Sequence, residues 1–148
     1  MLSAHSFNRL TTKFRQNRSG TAAVEFAILS PILILILLGM VAYGIYFGAS
    51  HSIQQLAADA ARTAIAGLSA SERETLVTDF IDRNAGEYPF IDPRKLVVEA
   101  RNSTNDGSQF VVSISYDASS LPIWGLFNGL AMPGTTIERT STIRLGGL

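Results

Sequence analysis

The sequence of 148 residues contains no cysteine, which excludes a disulfide framework and a thiolate zinc site. An excess of charge of one sign is also lacking, because 12 Lys and Arg residues balance 12 Asp and Glu residues. A neutral chain is a poor general nucleic-acid binder, so we expect no nucleic-acid partner. Neither histidine has a matching nucleophile, and the sequence contains no metal-ligand spacing and no glycine-rich phosphate-binding loop. We therefore expect no enzyme activity, metal or cofactor.

Charge is missing altogether from one long segment. Residues 1–20 carry four basic residues and no acidic one, Glu25 follows, and residues 26–58 carry no charge. Within this segment, residues 26–47 form an apolar run that is long enough for a membrane-spanning helix, which needs roughly 20 residues. The basic leader predicts a cytoplasmic N-terminus and an exported C-terminal part. A cleaved secretory signal is the alternative, but its apolar core is usually about 7–15 residues long.

The boundary between leader and apolar run holds an acidic side chain. Gly20 ends the leader, small residues follow, and Glu25 and Phe26 come directly before the apolar run. An acid at the centre of a membrane helix costs on the order of 2.5–3.5 kcal/mol, and less at the boundary. Favourable interaction with the helix macrodipole, worth roughly 0.3–1 kcal/mol, is one explanation of Glu25 that needs no partner.

The same boundary resembles the class III signal peptides of type IV pilins and pseudopilins. The matching residues are Gly20, Thr21, Glu25 and Phe26. With Pro31 early in the apolar run and an alanine-rich tail ending at Arg62, residues 18–66 more specifically resemble the TadE-like proteins of tight-adherence (Flp-type) pilus systems. The resemblance implies a bacterial, pseudopilin-like minor component that a prepilin peptidase cleaves after Gly20.

The resemblance also implies partners and a location. Gly20 and Thr21 are then the processing residues, and Glu25 and Phe26 serve assembly and recognition. We hypothesise that Glu25 of one subunit neutralises the freed Thr21 amine of a neighbour. The expected partners are membrane lipid, the prepilin peptidase and other pilus proteins, at the inner membrane or in a pilus. A bitopic protein with an exported partner-binding domain, or a pseudopilin of a secretion or DNA-uptake system, remains the alternative.

The residue pattern predicts an α+β fold in which a single N-terminal transmembrane helix continues into an exported domain of a helix and a small antiparallel sheet. The resemblance implies that this fold is pilin-like. Residues 49–67 are predicted to form a helix that ends at Gly67, with one face made of Ile53, Leu56, Ala57, Ala60 and Ala64. A capping box at Ser71 and Glu74 predicts a second helix. Alternating apolar residues predict strands over residues 95–101, 109–116 and 135–145.

These patterns divide the chain into four segments. They are a leader (1–20), a membrane helix (21–48), a helical region (49–86) and a β-rich region (87–148).

Two further features are candidate contact sites. Gly44 and Gly48 have the GxxxG spacing that permits close helix packing, although glycine is also common in membrane helices without this role. The uncharged residues 121–132 include Trp124 and Phe127, which are candidate anchors to a partner or to the membrane. A loop or short helix that caps the core of the sheet is the alternative for this segment.

Overall fold

The computed structural model describes residues 18–104, 107–125 and 133–145. The helices and strands are α1 (Arg18–Thr63), α2 (Ala70–Asn84), β1 (Leu96–Asn102), β2 (Gln109–Asp117) and β3 (Thr136–Arg144). The predicted α+β class, with a long N-terminal helix, a second helix and a small antiparallel sheet, is confirmed. The chain forms two compact units that divide between Met40 and Val41. We call the residues from Ala49 onward the head.

The first unit consists of the N-terminal part of α1, where apolar side chains cover every side of the helix. Pro31 lies inside the helix, which continues through it although proline lacks the N–H that would bond the preceding turn. In lipid, neighbouring groups can satisfy the freed carbonyl.

The second unit contains residues 41–48 of α1 and the head, which itself includes the C-terminal end of α1. The predicted helical face is buried: Ile53, Leu56, Ala57 and Ala60 lie in α1, and Ala64 lies in the turn that follows it. Alanines on this face let the other elements pack closely against the helix backbone. A 3₁₀ turn (Ala64–Ala66) follows α1, and the Gly67 N–H donates to the Ala64 carbonyl at 3.0 Å. Gly67 is the predicted stop.

The start of α2 differs from the predicted capping box. Ser69, rather than Ser71, caps the helix: its Oγ accepts a hydrogen bond from the Glu72 N–H at 3.2 Å. The Glu72 carboxylate accepts from the Leu68 N–H at 2.9 Å. The sequence contains two overlapping Ser-x-x-Glu patterns, and the earlier one satisfies additional N–H groups of the first turn and lengthens the helix by two residues.

The sheet is a meander in the order β1-β2-β3, with both pairs antiparallel. Alternate residues of the central strand are buried and the residues between them are partly exposed, as predicted from the alternation of apolar and serine residues. The buried residues are Phe110, Val112, Ile114 and Tyr116. They form one hydrophobic core with α1, with Val77 and Ile81 of α2, and with the segment that follows β2.

Candidate functional site

The predicted processing site lies within α1. Gly20 and Thr21 are both helical and exposed. A protease needs its substrate backbone extended, so this turn must unwind before cleavage. Glycine is about 1 kcal/mol less favourable than alanine inside a helix, so Gly20 weakens the turn that contains it. The local sequence therefore places a weak turn at the predicted site of cleavage.

Glu25 lies one helical turn after Thr21, about 6 Å along the axis. Both residues are exposed, and within the described residues the Glu25 carboxylate makes no hydrogen bond or ion pair. The carboxylate is therefore available to a partner outside the described chain.

Phe26 opens a long apolar surface on α1. Its side chain is 71% exposed, and the large apolar residues from Ile28 to Val41 are exposed as well. Among the described residues, one helix (Gly20–Ala66) is long and apolar enough to cross a membrane. Because none of its most apolar window is buried in the chain, this surface is suited to lipid or to other helices.

The two glycines of the GxxxG pattern have different surroundings. A Cβ atom at Gly44 would meet nothing within 4 Å. A Cβ atom at Gly48 would lie only 2.9 Å from Cε2 of Phe90, whose ring rests against the helix there. The chain thus fills the space beside Gly48 with its own side chain and leaves Gly44 open.

The segment that carries Phe90 is attached to both α1 and the sheet. The Tyr88 hydroxyl donates to Asp59 Oδ2 at 2.9 Å, and the Tyr116 hydroxyl donates to the Phe90 carbonyl at 3.1 Å. Burial, and then the hydrogen bond to Asp59, raise the pKa of Tyr88 to about 12. Sequence reasoning missed this segment, although a proline followed by two large apolar residues in a loop was a readable signal.

Trp124 lies at the rim of the head's core. Its indole is half-buried, and Nε1 donates to the Ala118 carbonyl at 2.6 Å. Leu121 and Ile123 beside it are buried. Over residues 121–125, the described part of this segment, this is the arrangement expected of a loop that caps the core. The other candidate anchor, Phe127, lies outside the described residues.

Comparison with known protein families concerns the same helix. Residues 20–62 match the model of the TadE-like protein family. The match confirms the TadE-like resemblance and covers less than half of the chain. No curated protein and no solved structure matches the sequence. Together with the apolar helix, the TadE-like match fits a single-pass, membrane-anchored, pilus-associated protein, and the family is not known for catalysis.

Proposed function

We propose that the chain is a minor, pseudopilin-like component of a tight-adherence pilus assembly system. The observation that carries this proposal is the position of the family match. The match includes the part of α1 that has an uncovered apolar surface and, before that surface, the Glu25 carboxylate, which has no partner among the described residues. A soluble helix would bury such a surface, and a plain membrane anchor has no need of Glu25.

Processing is the first step of the proposed mechanism. A prepilin peptidase at the cytoplasmic face of the membrane cleaves the bond between Gly20 and Thr21 and removes the basic leader. Glycine and the small residues beside it give the enzyme an uncrowded backbone once the helical turn at Gly20 unwinds. Cleavage leaves α1 in the membrane, because residues 26–47 are on the mature side of the cut. The head then lies on the side of the inner membrane away from the cytoplasm, as the distribution of basic residues predicts.

Assembly uses the two charges at the new end of α1. The freed Thr21 amine and the Glu25 carboxylate lie on one face of the helix, four residues apart. An ammonium and a carboxylate 4 Å apart attract by about 4 kcal/mol at an effective dielectric constant near 20, before the cost of desolvation. A subunit in register pairs its Glu25 with a neighbour's amine, whereas a misplaced subunit leaves both charges unpaired. Glu25 therefore sets register and recruitment, and Phe26 packs beside it.

The experiment that tests processing compares the full chain, tagged at its C-terminus, in cells with and without the prepilin peptidase. We expect a shortened, membrane-bound form only when the peptidase is present. Gly20→Leu should block shortening because a branched side chain crowds the cleavage site, whereas the small-to-small change Ser19→Ala should leave it intact. Full-length protein under both conditions would refute processing and leave a plain bitopic anchor.

A further inference from the structure

Phe90 has a backbone conformation that a bulky residue rarely adopts. Its φ angle is 65°, in the left-handed region that usually requires glycine. Such a conformation costs free energy and persists only where the surroundings impose it. Here the hydroxyl of Tyr116, which is 1% exposed, holds the Phe90 carbonyl. The core of the head therefore imposes the unfavourable backbone conformation of Phe90.

The imposed conformation turns an apolar ring outward rather than inward. The Phe90 side chain is 52% exposed, so one side of the ring rests on α1 at Gly48 and the other side is uncovered by the described chain. Any side chain larger than a hydrogen atom at position 48 would collide with it. Gly48 and the strained Phe90 together place an apolar ring beside α1 at position 48.

That level is the end of the apolar run. Residues 26–47 extend about 33 Å as a helix, close to the hydrocarbon thickness of roughly 30 Å. Gly48 follows directly, and three aromatic residues precede it: the centroid of the Phe47 ring lies 6.1 Å from those of both Tyr43 and Tyr46. Aromatic side chains concentrate at the membrane–water interface.

We propose that Phe90 is a second membrane contact, which inserts its exposed face into the interfacial region of the bilayer beside Gly48. The occupant of this surface is phospholipid, because the surface continues the apolar run of α1 at the depth where that run ends. The contact ties the loop between α2 and β1 to the lipid and limits tilting of the head. The inference rests on the proposed membrane span, and not on processing or on a pilus.

The test measures depth in reconstituted vesicles of phosphatidylethanolamine and phosphatidylglycerol that contain brominated lipids. The full chain carries Trp124→Phe, which retains an aromatic ring, and circular dichroism checks its fold. Three variants each add one indole: Phe90→Trp, Ile36→Trp within the apolar run, and Leu68→Trp at an exposed apolar residue of the head. Leu68 is 94% exposed and follows the far end of α1, so it is the matched control.

We expect bromines near the lipid carbonyls to remove most of the emission at position 90. Bromines at the chain ends should remove most of the emission at position 36, and only aqueous iodide should quench position 68. Emission at position 90 that behaves as at position 68, while position 36 is quenched by lipid, would refute the contact and leave the span intact. Shielding of position 90 from both quenchers would also refute it, in favour of a second protein chain. Absence of lipid quenching at position 36 would refute the span and the contact together.

Discussion

The carboxylate of Glu25 is the single residue that most requires a function, because it is the one charge within residues 20–58. Its surroundings offer it no partner in the described part of the chain. A neighbour's amine would satisfy it. Under this account the residue matters for recruitment and little for the stability of the isolated protein.

Neutralising this residue should therefore separate assembly from folding. Glu25→Gln should be processed and inserted normally, yet co-purify at least about tenfold less with other pilus subunits, which corresponds to about 1.4 kcal/mol of lost pairing. Pull-down of the tagged chain from solubilised membranes measures this. Glu74→Gln, at an exposed acid of α2, is the control and should co-purify normally. Equal recovery of the Glu25 variant would contradict the assembly role.

Gly48 and Gly44 form a matched pair at the same scale. Gly48→Ala should be less favourable than Gly44→Ala by about 1–3 kcal/mol, because the new methyl group displaces the Phe90 ring. Gly44→Ala, with open space around it, should be neutral or stabilise by about 0.5–1 kcal/mol. Denaturant unfolding in detergent, followed by the fluorescence of Trp124, measures both. The double variant with Phe90→Ala should lose most of the Gly48→Ala penalty. Similar effects of the two single substitutions would argue against the ring contact.

Tyr88 gives the head a dependence on alkaline pH. Folding raises its pKa from 10.0 to about 12, so folding favours the neutral phenol. The stabilisation from this group is complete below pH 10 and is lost as pH rises from about 10 to 12. The free energy of unfolding of the wild-type protein should fall more steeply over that range than that of Tyr88→Phe. Identical slopes for the two proteins would show that burial and the hydrogen bond to Asp59 do not raise the pKa of Tyr88 in solution.

At the scale of elements, two serine substitutions test how the first turn of α2 is capped. Ser69→Ala should cost about 0.5–2 kcal/mol, because the Glu72 N–H loses its acceptor. Ser71→Ala should cost little, since that side chain is exposed on the surface of α2. Thermal or denaturant unfolding of the two variants ranks them. A larger loss from Ser71→Ala would support the start of α2 predicted from the sequence instead.

Elements whose signal is local were predictable from the sequence. The alternation along β2 follows from its Phe110, Val112, Ile114 and Tyr116, and the buried face of α1 follows from spacings of three and four residues. The TadE-like boundary was readable because its residues lie within one short stretch, and the family match confirms that resemblance.

Features that join distant residues were not predictable. The choice between two overlapping caps depends on Leu68 and on the packing of Arg73 against Gly67, whose added Cβ would lie 2.7 Å from Arg73 Cγ. Likewise, the spacing of Gly48 indicates a membrane helix motif. Its contact with Phe90 depends on the positive φ angle of Phe90, which the sequence does not reveal. Loop conformation and long-range packing, rather than propensity, decide these positions.

At the scale of the whole molecule, the neutral total charge conceals three unlike parts. The leader is basic, the membrane run is uncharged, and the remainder has more acids than bases. Loss of the leader would therefore leave an acidic mature protein. The head has no disulfide, so its stability rests on the single core shared by α1, α2 and the sheet.

The identity of the mature N-terminus tests the central claim most directly. Intact-mass and N-terminal peptide mass spectrometry should be applied to the protein purified from membranes of cells that contain the prepilin peptidase. The account predicts a chain that begins at Thr21, with or without methylation of its amine. A chain that still begins at Met1, or one that begins beyond Ser50, would contradict it.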